Sequence, residues 1–481
     1  MNLVESNPFW LLVTVFTPLF GCFLLPLFDA ISERARNAFA VALGTTTLWG
    51  ALSLLPSVWQ GSVLSFEVHL PYGFNLSLAA DSLAVFMSLV SSSVGLIIVI
   101  FSLGYISHYP HRTEYYVMVI LFLGSMMGLV FSMNLIWMFV FWEITAICSW
   151  RLVGFFRSEK DILKADKTFL VTVFGALCML LGFIMVYATH GTFDLREMRG
   201  GSIPELAAAL ILLGIFSKSA TLPFSTWLPD AGVAPSPVTA LLHAAVLVKI
   251  GVYAFARIFC ATFRPDPMWE TWVPAIAAAS ALVAAGAALI DTDLKRIIAY
   301  STISQIGFIF LGLSTQNHIG VAGGMLYILM HGVAKGGLFL CAGIVEQNTE
   351  IKDITKLGGL MRAMPITGVS FAFCSLSVMG IPPFGGFFSK FMVFQGAVAA
   401  CHPWIAGAFL LGAVLTLAYL LRLFYMVFLG EERHPSVREG SASMVWSVAA
   451  LGFMSLLLGI LIYFPALFAD KVFLQIGALR P

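Results

Sequence analysis

ELAAALILLGIFSKSATLPFSTWLPDAGVAPSPVTALLHAAVLVKIGVYAFAR, residues 205–257, is the stretch whose reading decides the fold. An apolar run from Leu206 closes on Lys218, and Pro223, Pro229, Pro235 and Pro237 then interrupt it. A second apolar run follows, carrying His243 and Lys249. Proline removes a backbone donor and clashes with the preceding turn, so no continuous helix passes through this segment. In lipid, freed backbone groups are tolerated only when buried in protein or facing a water-filled cavity. An ionisable lysine beside such a break is the arrangement expected where ions or protons cross a membrane.

Composition agrees. Of 481 residues 59% are hydrophobic and 11% charged, and the mean hydropathy is +0.94. Soluble domains carry about 25% charged residues, so this chain belongs to the membrane class. A net charge of +1 with no basic stripe excludes a nucleic-acid partner. MNLVESNPFW has no Lys or Arg before its apolar run and does not read as a cleaved leader. The cysteines (Cys22, Cys148, Cys178, Cys260, Cys341, Cys374, Cys401) lie in or beside apolar runs without a CxxC pair. They read as small hydrophobes, with no metal site. No dinucleotide fingerprint or P-loop occurs, so no cofactor is expected on this chain.

A span needs about 20 apolar residues. Splitting the apolar runs at Gly, Pro and Asn clusters gives fourteen helices, near 9–28, 38–57, 82–104, 115–132, 134–154, 165–189, 206–230, 236–257, 273–291, 296–314, 320–345, 365–397, 404–429 and 443–469. SVLSFEVHLPYGFNLSL, before the third, alternates apolar and polar residues around Pro71 and Gly73 and predicts a β-hairpin on the membrane face. Fifteen Lys and Arg fall in odd-numbered loops. The even loops and tails hold only Arg196, Arg199, Arg257, Arg264, Lys471 and Arg480. The positive-inside rule then puts the odd loops in the cytoplasm and both termini outside. Helices four to eight and nine to thirteen form two sets of five, whose odd number forces opposite topology. Each set has a Gly/Pro-broken helix in fourth place, around Lys218 and leading to Lys390. The expected division is therefore 1–114 (three helices and a periplasmic hairpin), 115–258 and 259–430 (the repeats), and 431–481 (the last helix).

Four lysines remain inside spans, Lys218, Lys249, Lys335 and Lys390, with Arg422 near a helix end. Among acids only Glu143 occupies a helix middle. An isolated charge at the bilayer centre costs at least roughly 2.5–3.5 kcal/mol, so these lysines must be neutral part of the time, hydrated, or paired. One acid among several lysines reads as a proton-handling system rather than a structural ion-pair network. His243 and Lys249 are about 9 Å apart along a helix, a gap that one or two waters bridge. His331 and Lys335 share a helix face. Lys295 and Arg296 sit at a boundary, where anchoring and transport are equally open.

KSATLPFSTWLPDAGVAPSPVTALLHAAVLVKIGVY (218–253), DTDLKRIIAYSTISQIGFIFLGL (291–313) and GIPPFGGFFSKFMVF (380–394) resemble the antiporter-like subunits of complex I, energy-converting hydrogenases and Mrp-type sodium/proton antiporters. The resemblance covers roughly 115–429. It implies an all-α polytopic fold of about 14 helices, with two inverted five-helix repeats and discontinuous helices seven and twelve. It implies proton transfer, with Na⁺ as a second candidate ion, in the cytoplasmic membrane of a prokaryotic-type cell, inside a larger complex with neighbouring antiporter-like subunits. Glu143 and Lys218 would form the switchable pair, Lys249 with His243 the central relay, and His331, Lys335 and Lys390 the outward route. Lysine at 390 matches subtypes other than the M-type, which has glutamate there. An end soon after helix fourteen argues against the L-type's lateral helix. The first expectation is a proton-translocating subunit of a redox-driven complex of the NADH-quinone oxidoreductase or hydrogenase type, with no redox catalysis on this chain; the alternative is a D-type subunit of an Mrp antiporter.

One prediction follows from the motifs alone. The purified chain should show no visible haem or flavin absorption and no stoichiometric iron or nickel. A cofactor recovered by denaturing extraction would refute it.

Overall fold

The computed structural model describes residues 8–264, 266–400 and 403–478. Met1–Asn7, Cys401 and Arg480 therefore lie outside the described residues. Twelve helices are long and apolar enough to cross a membrane. They are α1 (Phe9–Ile31), α2 (Glu33–Trp59), α3 (Ser82–His108), α4 (Arg112–Phe131), α5 (Leu135–Val153), α6 (Glu159–His190), α8 (Ser236–Cys260), α9 (Trp269–Ile290), α10 (Leu294–Ser314), α11 (His318–Thr349), α13 (Pro403–Phe428) and α14 (Ala442–Ile460). Two broken helices complete the fourteen. α7 (Glu205–Lys218) ends at Lys218 and resumes only at Trp227–Asp230; α12 runs Pro365–Met379, breaks, and continues as Gly385–Ala399. The chain is a multi-pass, all-α membrane protein.

Helix starts are set by side-chain caps. Asp81, Asn134, Ser158, Asp293 and Asn317 accept from backbone N–H groups in the first turns of α3, α5, α6, α10 and α11, each satisfying a donor that lipid could not. Between α2 and α3 the expected hairpin forms from β1 (Leu64–Val68) and β2 (Leu76–Ala80), antiparallel with Leu64 opposite Ala80. It packs on the end of the bundle, where Met133 N–H donates to Ser77 O (2.8 Å) and Arg196 bridges Glu67, Ser77 and Asp194.

α8, α10 and α11 form the centre, buried along almost their whole length, while α1, α2, α6 and α13 expose one side. The two sets of five repeat one backbone pattern. Leu135 N–H donates to Phe193 O and Leu195 N–H to Met133 O; Leu294 N–H donates to Lys352 O and Ile354 N–H to Thr292 O. Asn134 thereby bridges Asp194 at the hairpin side, and Asp293 bridges Asp353 at the opposite side. The breaks match as well. Ala220 (φ 51°) and Gly380 (φ 82°) take left-handed conformations just after the first halves of α7 and α12, turning the chain out of its helix.

Three sequence expectations change. The last helix, expected over 443–469, stops at Ile460 and a separate α15 (Tyr463–Ala478) follows. α2 begins at Glu33, capped by Ser32, earlier than its apolar run suggested. Arg257 is no loop residue: it lies in a π-helical turn, Ala256–Cys260, at the end of α8, 2% exposed and ion-paired with Asp81.

The break in α12 rests on close backbone approach. A Cβ at Gly386 would stand 1.8 Å from Ser377 O, and one at Gly459 would stand 1.9 Å from Pro383 O. Gly386→Val should therefore cost upward of about 3 kcal/mol, at or beyond the usual range for overpacking, and block assembly of the solubilised protein. Gly286→Ala, with nothing within 4 Å, should hold or slightly raise the melting temperature. Equal melting temperatures for the two variants would contradict this packing.

Candidate proton-transfer site

Breaking α7 after Lys218 leaves that side chain inside the bundle rather than at a membrane surface. It is fully buried, donates to Trp142 O (3.1 Å), and lies 5.4 Å from the centre of the Trp142 ring. Glu143, the next residue on α5, interacts electrostatically with Lys218, yet no ion pair within 4.0 Å joins them. Its Oε1 is buried with no hydrogen-bond partner in the protein. The expected pair is thus adjacent but separated, with a backbone carbonyl holding the ammonium.

The other five candidates gather where α8, α11 and α12 meet. All are buried. Lys249 Nζ lies 2.7 Å from His331 Nδ1, joining α8 to α11. The sequence placed Lys249 with His243 instead. His243 lies against Phe339 with centroids 4.3 Å apart and the rings tilted by 40°, and neither ring nitrogen has a protein partner. Helical spacing could relate residues of one helix but not choose a partner from another. His243 sits in a π-helical turn, Leu241–Ala245, and Ser91 of α3 donates to the Ala245 carbonyl (2.8 Å). Such turns displace the hydrogen-bond ladder and recur at functional sites. This one breaks the regular α-helical spacing assumed between His243 and Lys249.

Lys335 donates to Ser301 Oγ (2.5 Å) and Ile298 O (3.3 Å). Ser301 continues a polar chain missed by the sequence reading: Ser301 Oγ to Tyr419 OH is 2.7 Å, Gln305 Nε2 donates to Thr416 Oγ1 at 3.1 Å, and Tyr327 OH donates to Gln305 Oε1. Lys390 faces the Phe308 and Tyr327 rings at 5.6 and 5.9 Å, and its Nζ has no hydrogen-bond partner. His331 interacts electrostatically with Lys249, Lys335, His243 and Lys390, so the five behave as one cluster. Lys218 connects to it through the backbone, since Ser219 Oγ donates to the carbonyl of Val248 beside Lys249 (3.4 Å).

Buried polar atoms are nearly always hydrogen-bonded. Here Glu143 Oε1, both His243 nitrogens, His331 Nε2 and Lys390 Nζ have no protein partner, and they lie along the row of candidates. A structural network would satisfy its members; a conducting one leaves positions for water and for protons in transit. Lys295 resolves differently: it is buried in an ion pair with Glu346 (2.6 Å), which Lys352 also reaches (3.1 Å). Among the described residues no three His, Cys, Asp or Glu converge as a metal site.

The family model described as NADH:quinone oxidoreductase/Mrp antiporter, TM, matches residues 132–416, and one described as NADH-Ubiquinone oxidoreductase (complex I), chain 5 N-terminus, matches 69–116. A protein of Staphylococcus haemolyticus named as the A1 subunit of a Na(+)/H(+) antiporter is 30% identical over 96% of this chain and 62% of its own length. One of Alkalihalophilus pseudofirmus, named as the A subunit of a Na(+)/H(+) antiporter, is 34% identical over 83% of this chain and 54% of its own. The chain thus spans little more than half the length of these relatives. In backbone it is similar to a chain of the Mrp complex from Dietzia sp. DQ12-45-1b (TM-score 0.89, 22% identity, 99% and 100% covered). It is equally similar to a chain of an archaeal membrane-bound sulfane sulfur reductase (TM-score 0.89, 24% identity, 98% and 99% covered).

Lys390 supplies the test of this geometry. Arginine stays charged at any usable pH, whereas lysine can lose its proton. Lys390→Arg should keep the fold yet reduce proton translocation at least tenfold, and Lys390→Glu should retain part of it. A structural role predicts the reverse order when both are measured in vesicles at matched expression.

Proposed function

Since the chain belongs to the NADH:quinone oxidoreductase/Mrp antiporter family, we propose that it carries protons in exchange for Na⁺ as a subunit of a multisubunit Mrp-type antiporter. The observation that carries this reading is the 2.7 Å contact between Lys249 and His331 in a fully buried position. Two like charges about 4 Å apart repel by about 4 kcal/mol even at an effective dielectric constant of 20. The two bases therefore hold at most one proton between them, and each gains or loses it according to the charge of its neighbours. The names of the relatives favour the Mrp alternative over the redox-driven pump expected first, and within it the A type over the D type.

In this reading Glu143 and Lys218 are the switch. With the pair apart, the Lys218 charge has lost its nearest counter-charge and drives the proton at Lys249 towards His331. The proton then passes to Lys335 and Lys390 through water and the hydroxyls of Ser301 and Tyr419. Where consecutive groups lack direct contact, bridging water completes the path. The excess of Lys and Arg in the odd loops supports a cytoplasmic position for them, with the hairpin and both termini outside, in the cytoplasmic membrane. Residues 115–258 and 259–430 serve as the two repeats, 1–114 and 431–481 as flanks. The partners are further membrane subunits, including other antiporter-like chains.

The test uses the complete complex in everted vesicles from antiporter-deficient cells. Adding Na⁺ should dissipate an imposed pH gradient. Lys218→Ala and Glu143→Gln should each lower that response at least tenfold while the complex still assembles. Proton pumping driven by an electron donor and indifferent to Na⁺ would instead identify a redox-driven pump.

A further inference from the structure

Lys249, Tyr253 and Arg257 stand at i, i+4 and i+8 on α8 and so share one face. Arg257 lies two turns beyond Lys249 towards the hairpin side, in the π-helical turn that ends α8. It is held from every direction. Its two terminal nitrogens donate to Asp81 at 2.5 and 2.7 Å, and its Nε donates to Tyr253 OH at 2.9 Å. Tyr253 OH in turn donates to Val130 O at the end of α4. Asp81 also caps α3 through Ala84 N–H (2.9 Å), and Arg199 acts on it electrostatically. Arg257 and Asp81 side chains are 3% and 4% exposed. None of these groups has a part in the route from Lys218 to Lys390.

Their position gives them one. Beside the contact from Lys249 to His331, the same face of α8 leads past Tyr253 to the hairpin side. A proton leaving that way would bypass Lys335 and Lys390 and dissipate the gradient without exchange. A guanidinium is charged at any usable pH, and a fixed positive group in a narrow passage is an electrostatic barrier to protons. Arg199 lies within electrostatic reach of Arg257, with Asp194 and Arg196 beyond. We propose that Arg257, clamped by Asp81 and Tyr253, is the barrier that closes the hairpin-side exit from Lys249 and makes the lateral step to His331 the only one open. The inference rests on the proton-carrying reading above.

A buried ion pair can also serve only to fasten the hairpin to α8, and removing one partner would then destabilise by stranding the other. The experiment removes both. Asp81→Asn with Arg257→Gln removes both members of the buried ion pair. The complex is purified, placed in Na⁺-free liposomes with a potassium ionophore to clamp the potential, and followed by an internal pH dye after an acid jump. The wild type should be tight and the double variant at least tenfold leakier. Adding Lys249→Met should make it tight again, and Arg257→Lys alone, whose charge can be lost, should leak at a rate between wild type and double variant. Tyr253→Phe, which removes one hydroxyl, should leak at least threefold faster and carries the test if the double variant fails to assemble. A tight double variant, or a leak that survives Lys249→Met, overturns the barrier. The passive leak needs no Na⁺, so a wild type lacking Na⁺/H⁺ exchange would refute the proposed function and leave this result readable.

Discussion

Two basic side chains 2.7 Å apart in a space closed to solvent cannot both be charged, and the contact between Lys249 and His331 imposes that condition at the centre of the bundle. The surrounding architecture serves it. α8 and α11 must be buried on all sides to keep bulk water away, which requires the outer helices. Such burial in turn requires that every backbone group be satisfied within the protein. The breaks in α7 and α12 and the π-helical turns of α8 are placed where hydroxyls and caps can take up the freed groups, as Ser91 does for Ala245.

The same condition separates the charges into two classes. Asp81–Arg257 and Lys295–Glu346 are ion-paired and lie at the ends of the bundle. The lysines and histidines between them have carbonyls, hydroxyls, rings or nothing as partners. A paired charge is fixed, whereas an unpaired one in a low-dielectric interior can change state with little rearrangement.

Much of this was legible in the sequence because prolines and intramembrane charges are local signals. Fourteen spans, the hairpin and both broken helices emerged from hydropathy and Gly/Pro placement, as did the seven candidate residues. Partners did not. Lys249 and His331 are 82 residues apart and Asp81 and Arg257 176 apart, and no periodicity within one helix relates them. Arg257 read as a loop residue because an arginine closing an apolar run normally marks an interface; only the fold brings a carboxylate over it. The polar chain from Ser301 to Tyr327 carries no formal charge, so nothing in hydropathy set it apart.

The mirrored backbone bridges carry a further consequence. The register that sets Asn134 against Asp293 also sets Glu143 against Thr302, Thr172 against His331, and Ala176 against Lys335. The two halves share these backbone hydrogen bonds and differ in the side chains they carry. The first half holds Glu143, Lys218, His243 and Lys249, and the second holds His331, Lys335 and Lys390. In the proposed route neither half conducts alone, so the halves act as complementary parts and the difference between them gives the path its two unlike ends.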